Sequence, residues 1–84
     1  MHFIHSNKGT CSTSVEFDMD SDHIIHNVAY HNGCNGNLQG ISHLAEGMKA
    51  EEYISRCKGI KCGFKSTSCP DQFAEALEEA IQKI

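Results

Sequence analysis

The chain has 84 residues, a length that fits one domain. Its formal net charge of −4 argues against a protein that neutralises the phosphates of duplex nucleic acid. No apolar run approaches the roughly 20 residues that span a bilayer, so we expect no membrane segment. Five cysteines are many for this length, and the N-terminus shows no secretory signal. We therefore expect a cytoplasmic protein whose cysteines bind metal or carry out redox chemistry, in place of structural disulfides.

The first third of the chain predicts an antiparallel sheet of about three strands. Val15, Phe17 and Met19 alternate with polar residues, which is the period of two expected of a half-buried strand. A polar turn then leads into residues 24–31, which are rich in branched and aromatic side chains. Residues 2–7 add the third strand that a stable sheet needs.

The remainder of the chain predicts three helices and therefore an α+β fold. Asn37 is the expected N-cap of the first helix, residues 50–57 form the second, and Gly59 follows as its C-cap. Residues 60–68 lack a helical period and predict a loop. Ser68 then caps the last helix. The apolar stripe expected on the first helix comprises Leu38, Ile41, Leu44, Ala45 and Met48.

Four of the five cysteines lie in glycine-rich or turn-forming segments, off the apolar stripes that build a core. These four are Cys11, Cys34, Cys62 and Cys69. Cys57 lies on a helical stripe and is predicted to be a core residue. Cys34 and Cys69 fall at predicted helix N-termini, where backbone N–H groups and the helix dipole favour a thiolate. We predict that the four converge at one edge of the sheet and hold a metal ion.

Other residues could complete such a site. Asp71 suits the first turn of the last helix as a capping acid, and it is also a candidate metal ligand two residues after Cys69. Among the six histidines, His31 and His43 are the best candidate ligands, because neutral imidazole commonly binds zinc. We expect the other histidines to be surface or partly buried residues.

Basic residues cluster between positions 56 and 65, and no acid lies between Tyr53 and Pro70. The cluster comprises Arg56, Lys58, Lys61 and Lys65. Two interpretations stay open. The cluster could complement the C-terminal dipole of the second helix, or it could stabilise thiolates or hold an acidic or phosphate-bearing partner.

Several motifs occur in order along the chain: GTC at residues 9–11, GCNGNLQGISHLAEGM at 33–48 and GIKCGFKSTSCPDQ at 59–72. Together they resemble the TSCPD domain family, in its small stand-alone bacterial form, across essentially the whole chain. The resemblance implies a single TSCPD domain over residues 1–84, with the four off-stripe cysteines as the family's cysteines. It also implies an accessory link to ribonucleotide reductases, to which the domain is otherwise appended. An 84-residue chain has no room for the reductase barrel, so we expect no reductase activity of its own.

The predicted architecture is also similar to the U-type iron–sulfur cluster scaffold proteins. That similarity implies Cys11, Cys34 and Cys69 as ligands of zinc or of a nascent cluster. The scaffolds have an aspartate soon after their first cysteine, whereas Ser12 and Thr13 follow Cys11 here. A fourth ligand would then come from Cys62 or from Asp71.

Three functions follow from these observations. The first is a metal-binding module that holds zinc or an iron–sulfur cluster. The second is a thiol redox protein in which Cys62 and Cys69 cycle between dithiol and disulfide. The third is a binding module without chemistry, which contacts a nucleotide or a protein through the basic segment or through the glycine-rich loop at residues 35–37. No order or spacing of residues supports catalysis by a serine, a carboxylate pair or a histidine triad.

Overall fold

Three strands are followed by three helices in the computed structural model, which describes residues 1–84. This order confirms the predicted α+β fold. No helix is both long enough and apolar enough to cross a membrane. The elements are β1 (His2–Ser6), β2 (Ser14–Met19), β3 (Ile25–His31), α1 (Asn35–Ala45), α2 (Ala50–Cys57) and α3 (Cys69–Lys83).

The sheet is antiparallel with strand order β1-β2-β3, so β2 lies in the centre. Val15, Phe17 and Met19 are buried on its inner face, as their alternation predicts. The pairing of β2 with β3 is irregular between Glu16 and Asp18. Such an irregularity increases the local twist of a sheet.

The core forms where α3 packs against the inner face of the sheet and against α2. Phe73 of α3 is fully buried, and its ring centroid lies 5.3 Å from that of Phe17, 6.1 Å from that of Tyr30 and 4.7 Å from that of Tyr53. These distances are in the range in which aromatic pairs attract each other beyond the burial of their area. Phe73 therefore joins β2, β3 and α2 to the helix that begins at Cys69.

The first helix departs from its predicted form. It begins at Asn35 with Cys34 as its N-cap, so the predicted Asn37 cap is wrong. No side chain caps this helix, and its start is set by the extended backbone at Cys34 after the left-handed Gly33. Leu44, predicted on the buried stripe, is 77% exposed, because α1 packs on β3 and leaves its other side open.

Histidine–carboxylate pairs cover the outer face of the sheet. Nδ1 of His2 lies 2.8 Å from Oδ1 of Asp18, and its Nε2 lies 2.9 Å from Oε2 of Glu16. His26 is paired with Asp20 at 3.2 Å and with Glu46 at 3.1 Å. The hydrogen bond to Asp18 and, to a smaller extent, the one to Glu16 raise the pKa of His2. The hydrogen bond to Asp20 and, to a smaller extent, the one to Glu46 raise the pKa of His26.

The pairs predict a stability maximum in mildly acidic solution. A raised histidine pKa stabilises the fold fully below the unfolded value of about 6.5, and this contribution is lost as the pH rises through the folded pKa. The carboxylates contribute above their unfolded pKa of about 4, and they lose this contribution as the pH falls through the lowered folded pKa of Glu16, Asp18 and Asp20.

We therefore expect the melting temperature of the metal-free protein to be higher between about pH 5 and 6 than at pH 8. A His2→Gln/His26→Gln double variant should show a smaller difference. His43→Gln is the control, since His43 is exposed and makes no ion pair. A double variant that kept the full pH dependence would contradict the assignment to these two histidines.

Candidate functional site

One cleft, with a volume of about 520 Å³, brings together the four cysteines that lie off the apolar stripes. Cys11 comes from the loop between β1 and β2, Cys34 from the start of α1, Cys62 from the loop between α2 and α3, and Cys69 from the first residue of α3. Cys57 packs against the core instead, which confirms its predicted place. All five cysteines are free thiols.

Cys11 and Cys69 are in direct contact. Their Sγ atoms lie 3.7 Å apart although the two residues are 58 positions apart in the chain. Cys11 is exposed, whereas Cys69 is buried. The fold therefore presents one accessible and one shielded sulfur at the same end of the cleft.

The carbonyl groups of the first turn of α3 are held by two tyrosines of the core. The hydroxyl of Tyr30 donates to the carbonyl of Cys69 at 3.2 Å, and the hydroxyl of Tyr53 donates to the carbonyl of Pro70 at 3.1 Å. Burial raises the pKa of both tyrosines, so both hydroxyls stay protonated and continue to donate. Cys69 consequently sits on a fixed backbone.

A chain of hydrogen bonds leads to the sulfur of Cys69. Oγ of the buried Ser12 lies 2.9 Å from Sγ of Cys69. Nδ2 of Asn7 donates to the same Oγ at 2.9 Å, which leaves the hydroxyl proton of Ser12 free to point at the sulfur. Asn7 is itself partly shielded, and its Oδ1 is buried without a partner. Ser12 is thus placed to donate to a thiolate at Cys69.

Two opposing effects set the acidity of Cys69. Burial raises the pKa of its thiol, while hydrogen bonds from Ser12, and then from Cys11 and Thr10, stabilise the thiolate. The hydrogen bonds outweigh the burial, and the pKa of Cys69 is lowered from its ordinary value. The position at the N-terminus of α3 acts in the same direction, because the helix dipole favours negative charge there.

Gly33 allows the segment that carries Cys34 to approach the segment that carries Cys11. Its φ of +93° is in the left-handed region that favours glycine. A Cβ at this position would lie 3.1 Å from Sγ of Cys11, 3.0 Å from the backbone nitrogen of Ser12 and 2.9 Å from the side chain of Leu38. Any larger residue would have to push these groups apart, so the close approach depends on the glycine.

Asp71 is tied to the loop that carries Cys62. Its Oδ1 accepts a hydrogen bond from the backbone N–H of Gly59 at 2.7 Å, and its Oδ2 accepts one from the hydroxyl of Thr67 at 2.5 Å. Both hydrogen bonds lower the pKa of Asp71, and the one from Thr67 has the larger effect. Its own N–H donates to Oγ of Ser68, the helix N-cap, at 3.2 Å. Asp71 does not line the cleft, and its role as a metal ligand stays a prediction.

The two candidate histidines lie away from the cleft. Nε2 of His31 is 2.5 Å from Oε1 of Glu16 on the outer face of the sheet. His43 lines a separate pocket beside β3 with Val28 and Asn32. Neither is among the residues that line the cysteine cleft, so the expectation that they complete its ligand set is not supported by their positions.

The basic cluster is divided between two roles. Arg56 is paired with Glu52 at 2.9 Å and Lys58 with Glu78 at 2.7 Å, which uses these two charges on the helices. Lys65 makes no such pair and lines the cleft. One cation of the cluster thus lines the same cleft as the four cysteines, as the second of the two interpretations expects.

The donor set fits a thiolate-bound metal in part. A tetrahedral zinc with Zn–S bonds of about 2.3 Å holds its ligand sulfurs about 3.8 Å apart, and the sulfurs of Cys11 and Cys69 are 3.7 Å apart. No group of three or more His, Cys, Asp or Glu side chains is close enough to hold one ion in the arrangement described. Cys34 and Cys62 are both exposed and would have to approach the pair.

A model of one protein family matches nearly the whole chain. The model of the TSCPD domain matches residues 3–81 of the 84-residue chain. The matched range includes all four cysteines of the cleft and runs from β1 into α3. No curated protein and no solved structure shows significant similarity to the chain. The chain belongs to the TSCPD domain family.

Proposed function

We propose that the protein is a metal-binding module whose cleft holds zinc, or alternatively an iron–sulfur cluster, through cysteine thiolates. The ligands would be Cys11, Cys34, Cys62 and Cys69. The observation that carries the proposal is the 3.7 Å contact between the sulfurs of Cys11 and Cys69, with the other two cysteines lining the same cleft. Two sulfurs at this separation can bind one tetrahedral metal without moving apart.

The surroundings of the pair suit negatively charged ligands. Ser12 can donate to the sulfur of Cys69, and Lys65 brings a positive charge to the cleft. Metal binding to thiols releases protons, so a site that already favours a thiolate at Cys69 lowers the cost of binding. Four thiolates around zinc would form a closed site, which stabilises a fold and leaves no open position for catalysis.

The accessory role in ribonucleotide reductase or metal-cluster chemistry is part of the same proposal. A module of 84 residues with a closed thiolate site would not act as an enzyme by itself. It would supply a bound metal or cluster, or a metal-stabilised surface, to a larger protein. A cleft of about 520 Å³ is also larger than a single ion needs, which keeps the cluster as the alternative occupant.

Metal analysis of protein purified without oxygen and without chelator tests the proposal. We expect about one zinc per chain, or bound iron with acid-labile sulfide. Cys11→Ser and Cys69→Ser should each weaken zinc binding by more than about 100-fold. Loss of a hydrogen bond that only supports a metal ligand costs about 10- to 100-fold, and loss of the ligand itself should cost more.

Cys57→Ser is the matched control, because Cys57 packs against the core and lies outside the cleft. It should keep the full metal content and affinity. Wild-type protein that contained no metal, and that bound none when titrated with zinc under reducing conditions, would refute the proposal.

A further inference from the structure

We infer that Cys11 and Cys69 form a thiol oxidation site, at which a hydroperoxide converts the two thiols to a disulfide. The pair differs from the one that the sequence suggests, Cys62 and Cys69, which are close in the chain. The inference concerns the metal-free protein and stands on the contact between the two sulfurs. Its consequence for the metal, given below, rests on the proposed function.

The geometry requires only a small movement. A disulfide bond is about 2.05 Å long, so the sulfurs at 3.7 Å must approach by about 1.7 Å. The backbone of Cys69 is held by Tyr30 at the start of α3, while Cys11 is exposed on the loop between β1 and β2. Cys11 is therefore the partner that has to move.

No other side chain stands in the way of this approach. No side chain separates the two sulfurs, and Gly33 has no Cβ to crowd Sγ of Cys11. Both cysteines line the open cleft, through which a small peroxide can reach them. When the disulfide forms, Ser12 loses the sulfur as a charged acceptor, but its Oγ keeps the hydrogen bond from Asn7.

The reaction balances with hydrogen peroxide as the oxidant. One sulfur attacks a peroxide oxygen, the O–O bond breaks, and the products are a sulfenic acid and one water molecule. The second sulfur attacks the sulfenic sulfur, the S–O bond breaks, and the hydroxyl leaves with the remaining thiol proton as a second water. The two thiols are oxidised by two electrons and the peroxide is reduced by two. A dithiol reductant reverses the change by thiol–disulfide exchange.

Oxidation and metal binding would compete for the same two sulfurs. A disulfide removes two of the four proposed thiolate ligands, and a site left with Cys34 and Cys62 cannot form a closed tetrahedral set. The cross-link also joins the loop between β1 and β2 to α3 across 58 positions of the chain. Constraining so long a loop in the unfolded state stabilises the oxidised fold. The oxidised protein would thus be metal-free and still folded.

Peptide mapping under non-reducing conditions tests the inference. The metal-free 84-residue protein, kept in chelator, is treated with one equivalent of hydrogen peroxide and digested. We expect the main cross-linked product to join the peptides that contain Cys11 and Cys69, with a loss of two hydrogen atoms. The melting temperature should rise by about 10 °C or more. Cys57→Ser should give the same product, and Cys11→Ser should give no link to Cys69.

Other results would overturn the inference. A main product that linked Cys62 with Cys69, or any other pair, would do so, as would sulfinic acid without a cross-link. In zinc-loaded protein, the same treatment should release the metal to a chromogenic chelator. If the protein binds no zinc, the proposed function fails, whereas the mapping of the metal-free protein still decides whether the disulfide forms.

Discussion

Replacing Phe73 by alanine is expected to cost about 3–5 kcal/mol of the free energy of unfolding. Phe73 is fully buried and contacts the rings of Phe17, Tyr30 and Tyr53, so its loss leaves a cavity between the sheet, α2 and α3. Domains have a total stability of about 0.05–0.15 kcal/mol per residue, which makes this a large share for 84 residues. Urea denaturation of the metal-free protein measures the loss as a lower midpoint.

Phe64→Ala is the matched control, since it removes the same atoms from a fully exposed side chain. We expect a change within about 0.5 kcal/mol. Equal losses in the two variants would mean that Phe73 does not hold the three elements together. Loss of cooperativity in Phe73→Ala alone would agree with its central position, because the helix that carries Cys69 would then pack loosely.

Local patterns sufficed to predict the order of the elements. The alternation of Val15, Phe17 and Met19 is a property of adjacent residues, and it is enough to place β2 with one face in the core. The start of α3 can also be predicted from adjacent residues, because Ser68 is a typical N-cap residue. In the structure, Ser68 caps the helix by accepting a hydrogen bond from the N–H of Asp71. Both signals act within a few residues, so they need no knowledge of the rest of the fold.

The first helix shows where local patterns fail. Its spacing of apolar residues predicted that Leu44 is buried, but burial depends on which neighbour covers that side of the helix. Here α1 packs on the edge strand β3, and the side that carries Leu44 and Ile41 borders the cleft. The N-cap was misplaced for a related reason. The helix starts where Gly33 and Cys34 bend the backbone, and no capping side chain marks that point.

Part of the candidate site could be anticipated and part could not. Cys11, Cys34, Cys62 and Cys69 stood out because they lie off the apolar stripes, and they all line one cleft. Their pairing is a matter of tertiary structure. Nearness in the chain favoured Cys62 as the partner of Cys69, whereas the fold brings Cys11 into contact with it.

No local sequence pattern predicts the hydrogen bonds that support Cys69. The sequence singles out Ser12 only as one of two residues, with Thr13, that follow Cys11 where the U-type scaffolds have an aspartate soon after their first cysteine. It lies in the loop before β2, where no period predicts which side chains point inward. Only the folded arrangement shows that Asn7, Ser12 and the sulfur of Cys69 form one chain. A serine directly after a loop cysteine is the one signal that could have drawn attention to it.

Replacing Asp71 by asparagine is expected to destabilise the metal-free protein by about 1–3 kcal/mol. The amide nitrogen that replaces one carboxylate oxygen cannot accept a hydrogen bond, so either the N–H of Gly59 or the hydroxyl of Thr67 loses its acceptor. The loop between these residues carries Cys62, which lines the cleft. Zinc affinity should therefore also fall, by about 10-fold or more, although Asp71 does not line the cleft.

Two measurements separate this tether from a metal ligand. If Asp71 only binds metal, the variant loses zinc affinity while the metal-free protein keeps its urea midpoint. If Asp71 holds the loop, the midpoint falls without any metal present. The lowered pKa of Asp71 adds a pH signature, because its contribution exists above the unfolded pKa of about 3.9 and is lost as the pH falls through the folded pKa.

The variant should therefore differ most from the wild type at neutral pH, and the two should approach each other in stability in acid. Asp22→Asn is the matched control, since Asp22 is exposed and its carboxylate makes no hydrogen bond or ion pair. It should leave the urea midpoint and the zinc affinity unchanged at every pH. A metal-free Asp71→Asn protein as stable as this control at pH 7 would show that the carboxylate does not hold the loop, and the position of Cys62 would then need another support.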